Sequence, residues 1–348
     1  MATGSWPTML DIASRQVDGE QTKFIAEYLS QAVCLMDDLP MQEANEITGH
    51  QFVYRTSIPG GTWAQYNQGV PYGKSTTAKS RVSTGTLKAY SQIDRLLAQD
   101  SGDAARFRMS EDVAFLEGMG QTLEQTAWYG NTATSPAEFM GMSNFWNTVS
   151  TSKAQNAANV IDGGGTGSSN ASMWLFGFGP RSLYGIHPRG SKVGLYMDDK
   201  SDVVPAYDSM GNRYEAYTTY FEARMGIVPE DWRYTVRICN LDTTSAGLKG
   251  SSGPDLWALM TQASLYPPGM TKRTSGITKT DAPTDSVPTN RFVWMCNRTV
   301  RHYLDIQAMR NRNVLVGLND APGMVQDNWR GVPIKISDQL LNSEQRVT

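Results

Sequence analysis

Reactive side chains are sparse in this chain. Cysteine occurs only at positions 34, 239 and 296, an odd number spread far apart. That excludes a disulfide framework and a C-x-x-C metal clip, and points to a reducing environment. Histidine is limited to His50, His187 and His302, with no H-E-x-x-H pair and no G-x-S-x-G elbow. Charge is thin as well: Asp, Glu, Lys and Arg make up 19% of 348 residues, against roughly 25% in an ordinary soluble domain. The balance of 31 basic to 34 acidic residues, a net charge of −3, argues against a dedicated nucleic-acid binder, which carries a basic stripe. No apolar run approaches the ~20 residues that span a bilayer, and the N-terminus shows no signal-peptide pattern. A soluble protein with much uncharged surface turned toward other protein is expected.

Weak chemical signals dissolve on inspection. The run Gly163-Gly164-Gly165-Thr166-Gly167 lacks the Gly-Lys-Ser/Thr of a phosphate loop and leads into a strand, so it reads as a flexible loop. Asp198, Asp199 and Asp202 are interrupted by Lys200 where a calcium loop needs an oxygen, and read as a solvated turn. Asn170 and Asn297 head glycosylation patterns by chance. No catalytic residue, no cofactor and no metal site is expected.

Ser110–Asn131 organises the rest. Val113, Leu116, Gly120, Leu123 and Ala127 follow the three-and-four spacing of one helix face. Ser110 is the expected cap and Gly130-Asn131 a left-handed stop. Glu111, Asp112, Glu117 and Glu124 make its other face acidic. Gly118 and Gly120 each cost about 1 kcal/mol in a helix interior, so a bend or the close approach of another backbone should justify them.

Before it, Gly49–Tyr90 is rich in Thr, Ser, Tyr and Val, and is broken at Pro59-Gly60-Gly61 and Pro71-Tyr72-Gly73. This predicts a long, kinked hairpin with no core of its own. Between His50 and Arg108 stand eight basic residues (Arg55, Lys74, Lys79, Arg81, Lys88, Arg95, Arg106, Arg108) against Asp94, Asp100 and Asp103. With Trp63, Tyr66, Tyr72 and Tyr90 interleaved, such a stretch could touch single-stranded nucleic acid, but the chain's acidity favours protein as partner. A coreless basic hairpin must lie on something, and the acidic helix face is the natural candidate.

Residues 1–20 read as an extended arm, Thr22–Leu39 as a helix stopped by Pro40, and Leu87–Ala98 as a short helix. Asp37 and Asp38, at the wrong end of the Thr22–Leu39 helix for its dipole, call for solvent or a partner's cation. Beyond the spine, strands are expected at MWLFGFGP, in a hairpin over Ala206–Arg224, at Asp231–Asn240, Phe292–Cys296, Asn313–Asn319 and Gly331–Ser337. Helices are expected at Asp255–Tyr266 and Arg298–Arg312, with a loop at Gly269–Thr289.

This order of parts resembles the major capsid proteins of tailed bacteriophages, of Hong-Kong-97-type fold and the gp7-type branch. The resemblance runs through TGHQFVYRTSIPGGTW and NQGVPYGKST in the hairpin, RMSEDVAFLEGM in the helix and GGTGSSNASMWLFGFGP in the middle, then DWRYTVRICNLD and WRGVPIKISDQL. It covers roughly residues 20–348, and the ordered set is more specific than any one stretch. It implies an α+β capsid fold: an N-terminal arm (1–44), an extended loop hairpin (45–90), a peripheral domain with the spine helix (91–150 and 320–348) and an axial domain (151–319). The implied function is self-assembly as pentamers and hexamers into an icosahedral shell around double-stranded DNA held without sequence-specific contacts, with no membrane. A separate scaffold chain, a portal and a cement protein are implied partners. On this reading the intersubunit contacts are Arg55, Trp63, Tyr66, Lys74, Lys79 and Arg81 of the hairpin with Glu111, Asp112, Glu117 and Glu124 of a neighbour's spine. The alternatives are a sheet-rich binding module or hydrolase with its site in 151–319, and a phage decoration or tail protein.

Overall fold

The computed structural model describes residues 16–17, 20–21, 31, 33–208, 210–244, 247–248, 253–268, 270, 291–310 and 328–348. Most of the expected arm, the loop at Gly269–Thr289 and the strand at Asn313–Asn319 lie outside them. So does most of the helix expected from Thr22; its described remainder is a single turn, Leu35–Asp38, with Gln31, Val33 and Cys34 outside any helix.

In chain order the strands are β1 (Gln16–Val17), β2 (Glu20–Gln21), β3 (Met41–Glu43), β4 (Gly49–Ser57), β5 (Thr76–Ser83), β6 (Gly85–Asp94) and β7 (Val160–Asp162). They continue with β8 (Asn170–Phe178), β9 (Leu183–His187), β10 (Leu195–Tyr207), β11 (Arg213–Pro229) and β12 (Thr235–Asp242). The last are β13 (Arg291–Cys296), β14 (Asn328–Trp329) and β15 (Val332–Ile336). Eleven of these form one sheet, β4 and β5 pair only with each other, and β1 pairs with β2.

The spine helix runs over Ala104–Tyr129, 26 residues. It starts earlier than Ser110: the Asp103 carboxylate accepts from Arg106 N at 3.1 Å and caps the first turn. It ends at Gly130 as expected, but Gly130 has φ −50°, so the stop is not left-handed. Glycine is needed there for closeness: Gly141 N donates to Gly130 O at 2.7 Å, and a Cβ on Gly130 would stand 2.6 Å from Thr126 O.

Leu87–Asp94 is strand, not helix. Its alternation turns Leu87, Ala89 and Ile93 to the spine helix, and ten residues of β6 pair with β11 from Met225↔Gly85 to Ala216↔Asp94. Only Arg95–Asp100 is helical, capped by Asp94. Asp198 and Asp199 likewise lie in β10, paired with Tyr220 and Thr219 of β11, and Asp202 follows in the same strand at a break in register, rather than in a turn. The sheet beneath the spine helix therefore draws on β6, β10 and β11, from both sides of residue 150. The final four residues of β11 pair with β9 and carry the same strand into the second half of the sheet.

That second half is buried on both faces. β8 is buried throughout, between β12 and β13, which is why its sequence is a continuous apolar run rather than an alternation. Trp128, at the end of the spine helix, packs on Trp174 and Phe176 of β8 with ring centroids 5.9 and 5.7 Å apart. Each such fully buried large side chain contributes on the order of 2–3 kcal/mol. β15 lies parallel to β13, so the closing strand joins the 151–319 sheet, while Ser337 just after it reaches the spine helix at Glu124. Two helices, Leu256–Ser264 and Arg298–Arg310, cover the outer side with Leu256, Met260, Val300 and Leu304 inward.

Candidate intersubunit interface

The hairpin is anchored at one end only. At its base, Val82 is buried among Ala44, Tyr184, Ile186 and Val228, with Phe52 against them. Arg81 closes this base, donating to Glu46 Oε2 at 2.8 Å and Thr48 Oγ1 at 2.7 Å. Arg81 therefore already has partners in its own subunit, unlike the free contact residue expected. Outward from Tyr54 the arms lose all support. Thr56, Ser57 and Thr76 cross-link them through hydroxyls at 2.7 and 2.8 Å beside a bulge between Arg55 and Ser57. Nine extended residues in β4 reach roughly 30 Å, and the loop that follows touches nothing large. Trp63, Tyr66 and Tyr72 have relative exposures of 101%, 102% and 107%, and Ile58 is exposed beside them. Arg55, Lys74 and Lys79 are exposed and form no ion pair among the described residues.

The spine helix differs more from expectation. Glu124 is not on an open acidic face: it is fully buried, accepting from Ser337 Oγ, from Trp128 Nε1 at 3.4 Å and from Leu35 N at 3.3 Å. Burial pushes its carboxyl above the ordinary glutamate range, partly offset by those hydrogen bonds. Glu117 accepts from Gln31 N at 3.1 Å and Gln121 Nε2 at 3.0 Å, and Asp112 accepts from Thr219 Oγ1 at 3.2 Å. Glu111, like these two, is half-buried. Gln31 and Leu35 of the N-terminal segment thus engage two of these carboxylates, and β11 a third.

The apolar seam is also rotated. Phe115, Met119 and Leu123 face the sheet, with Phe115 stacked on Phe221 at 6.1 Å, while Val113 and Leu116 are exposed. A four-residue repeat through 115, 119 and 123 was present in the sequence, but it competed with the equally regular series through Val113 and Leu116. What remains open beside the helix is a mainly apolar groove of about 490 Å³ between it and β6, lined by Leu87, Ala89, Phe115 and Met119 around Gly118, with Lys88 and Thr122 as its polar members. Among the described residues nothing beyond the helix's own backbone lies within 4 Å of a Cβ built on Gly118 or Gly120. No described residue therefore makes the backbone approach that these glycines call for.

The remaining polar clusters hold the subunit together. Arg237 and Glu344 form a buried ion pair at 2.9 Å. Asp38 is buried between Arg291 Nη2 at 2.9 Å and Lys335 Nζ at 2.7 Å, so the cation expected near it comes from the same chain. The glycine run is pinned rather than loose, with Gly163 N and Gly165 N each donating at 2.8 Å to the β12 carbonyls of Cys239 and Asn240. Asn170 and Asn297 are buried, closed to any sugar. All three cysteines are buried and unpaired, Cys239 and Cys296 pushed up to about 12 by burial. Among the described residues no group of His, Cys, Asp or Glu could hold a metal ion, and no helix is long and apolar enough to cross a membrane.

The fold thus combines a long helix on a sheet, a hairpin without a core and a second sheet half whose central strand is buried on both faces. A chain of the near-atomic structure of bacteriophage Epsilon15 matches with TM-score 0.75 and 28% identity, over 100% of this chain and 99% of that one. The bacteriophage JBD30 capsid matches with TM-score 0.50 and 11% identity, over 96% of this chain and 99% of that one, a likeness of fold. No curated protein matches in a sequence search. Residues 17–348 match the family Major capsid protein GP7, and the chain belongs to it. It is a structural subunit of the phage head, of α+β capsid fold, that self-assembles into the shell. Family membership supports this structural role rather than the binding module or hydrolase weighed as an alternative for residues 151–319.

Proposed function

We propose that the hairpin is the element that joins copies of this subunit, and that its tip seats in the groove between a neighbour's spine helix and β6. The observation that carries this reading is the tip itself: three fully exposed aromatic rings on arms that find no support in their own subunit. Monomers rarely leave such a patch open, and rigid aromatic anchors in apolar pockets are what hot spots are made of. The groove offers an apolar floor and two glycines that admit close approach. Lys74, Lys79 and Arg55 then face Glu111 and Glu117 at its rim as supplementary, partly screened pairs worth about 0–1 kcal/mol each. Pentamers and hexamers of one fold, with the arm 1–44 also reaching onto neighbours, build the icosahedral head. The 151–319 segment lies toward the capsomer centre as the axial domain. Residues 91–150 with β10 and β11 form the periphery, and 320–348 tie the two. A separate scaffold, a portal and a cement protein complete the particle. The subunit works without catalysis, and its acidity lets packaged double-stranded DNA slide over the lining without specific contacts.

Two substitutions test this. Lys74→Glu with Lys79→Glu is expected to slow or weaken shell assembly while thermal unfolding of the subunit stays unchanged; normal shells would rule out the charged rim. Gly118→Ala is expected to stabilise the free subunit by about 0.5–1 kcal/mol, since the added methyl meets no other atom among the described residues. In the assembled shell the same methyl occupies the neighbour's space, so assembly falls as subunit stability rises. Gain of both, measured by thermal unfolding and sedimentation, would exclude the groove.

A further inference from the structure

Glu124 takes no part in the contacts proposed for shell assembly. It is completely buried, yet among the described residues no cation pairs with it. Its donors come from three separate segments: Leu35 N before the spine helix in sequence, Trp128 Nε1 on it, and Ser337 Oγ after β15. The Cys34 amide also bears on it. Cys34, whose amide bears on it, is itself acted on by Glu124, by Asp38 of the same N-terminal segment, by Lys335 from β15 and by Cys296 from β13. Lys335 is held by Asp38 at 2.7 Å, where Arg291 joins it at 2.9 Å, so the one nearby ammonium is engaged elsewhere. Both thiols are raised by burial and stay neutral at physiological pH.

We propose that Glu124 is a proton-controlled clasp, which holds residues 33–38 against the spine helix and the C-terminal strand when protonated and loosens when charged. The geometry permits the neutral form. Its carbonyl oxygen accepts from Leu35 N, and its O–H turns to Ser337 Oγ, a hydroxyl that can accept as well as donate. The charged form must be held in a dry site with no paired cation among the described residues, which is costly even with several donors. The sign follows from burial. The closed form holds the proton more tightly than an opened, hydrated one, so closure is strongest at low pH. Opening grows as pH rises from the ordinary glutamate range to the raised value, by up to about tenfold per pH unit. Residues 1–30 continue from this clasp. On the reading that the arm reaches onto neighbours, its root is thereby made sensitive to protons.

Amide hydrogen exchange at residues 34–38 of the full chain, corrected for the intrinsic pH dependence of exchange, reads the clasp directly. As pH rises above the ordinary glutamate range, the opening constant is expected to climb by up to about tenfold per unit until Glu124 ionises in the closed form as well. Glu124→Gln keeps an acceptor for Leu35 and a donor for Ser337 with no charge to form, so its exchange is expected to stay slow and flat. A flat wild-type profile, or a Glu124→Gln profile that follows the wild type, overturns the proposal. If Glu124→Gln does not fold, Ser337→Ala serves instead. It removes a donor to the charged form and is expected to move the wild-type profile to higher pH; an unmoved profile overturns the proposal equally. These contacts lie within one chain, so failure here is distinct from failure of the shell geometry.

Discussion

Arg237→Ala is expected to cost the subunit about 3–5 kcal/mol, the usual loss when one member of a buried ion pair is removed. The guanidinium is enclosed. It donates to Glu344 Oε2 at 2.9 Å, to Ser172 Oγ at 3.1 Å, and to the carbonyls of Trp146 and Ser143 at 2.7 and 3.2 Å, and it stacks over Trp174 at 5.0 Å. Its removal leaves the Glu344 carboxylate buried with only hydroxyls, those of Ser172 and of Tyr129 at 2.6 Å. Because Tyr129 ends the spine helix and Glu344 lies in the closing segment, the loss unfastens the junction of both halves of the fold. Thermal unfolding of the purified subunit measures it. A loss below about 1 kcal/mol would mean that water reaches Glu344 and that the pair is not the buried junction described.

The second large effect lies at the opposite extreme of burial. Trp63→Ala, Tyr66→Ala and Tyr72→Ala together are expected to leave subunit stability within about 0.5 kcal/mol, because these rings touch nothing in their own chain. Shell formation is expected to fail. An aromatic anchor at an interface centre is worth on the order of 2 kcal/mol or more, and a closed shell repeats each loss at every copy. Sedimentation of the triple variant beside the wild type separates the outcomes. Shells at normal yield would show the tip to be ornamental, and an unfolded subunit would show it to belong to the core.

The hairpin was the most legible part of the chain, because its evidence is local. Turn residues at Pro59-Gly60-Gly61 and Pro71-Tyr72-Gly73 and a lack of large aliphatics need no knowledge of the rest of the fold. The spine helix was legible as a helix and at its Gly130 end, but not in its orientation. Glu124 reads as solvent-facing because acidic residues usually are. The partner that allows it to be buried, Ser337, lies 213 positions away in sequence. Arg237 was hidden by the same distance. Alternation in Asp231–Asn240 suggests one wet face, whereas β12 is buried on both, a possibility opened only by Glu344. Leu87–Asp94 shows the limit of periodicity. Its spacing suits a helix or a strand, and the ten-residue ladder with β11 decides. Of the residues proposed to form the interface, the aromatic and basic ones were named from sequence. Phe115, Met119 and the open space beside Gly118 were not, since a groove belongs to two elements at once.

Electron cryo-microscopy of assembled shells tests the joining of subunits most directly, by locating residues 58–72 relative to the adjacent copy. Trp63, Tyr66 and Tyr72 are expected over the neighbour's Leu87, Ala89, Phe115 and Gly118, with Lys74 and Lys79 at the acidic rim. A tip folded back on its own subunit, or a groove left empty in every capsomer, would contradict it.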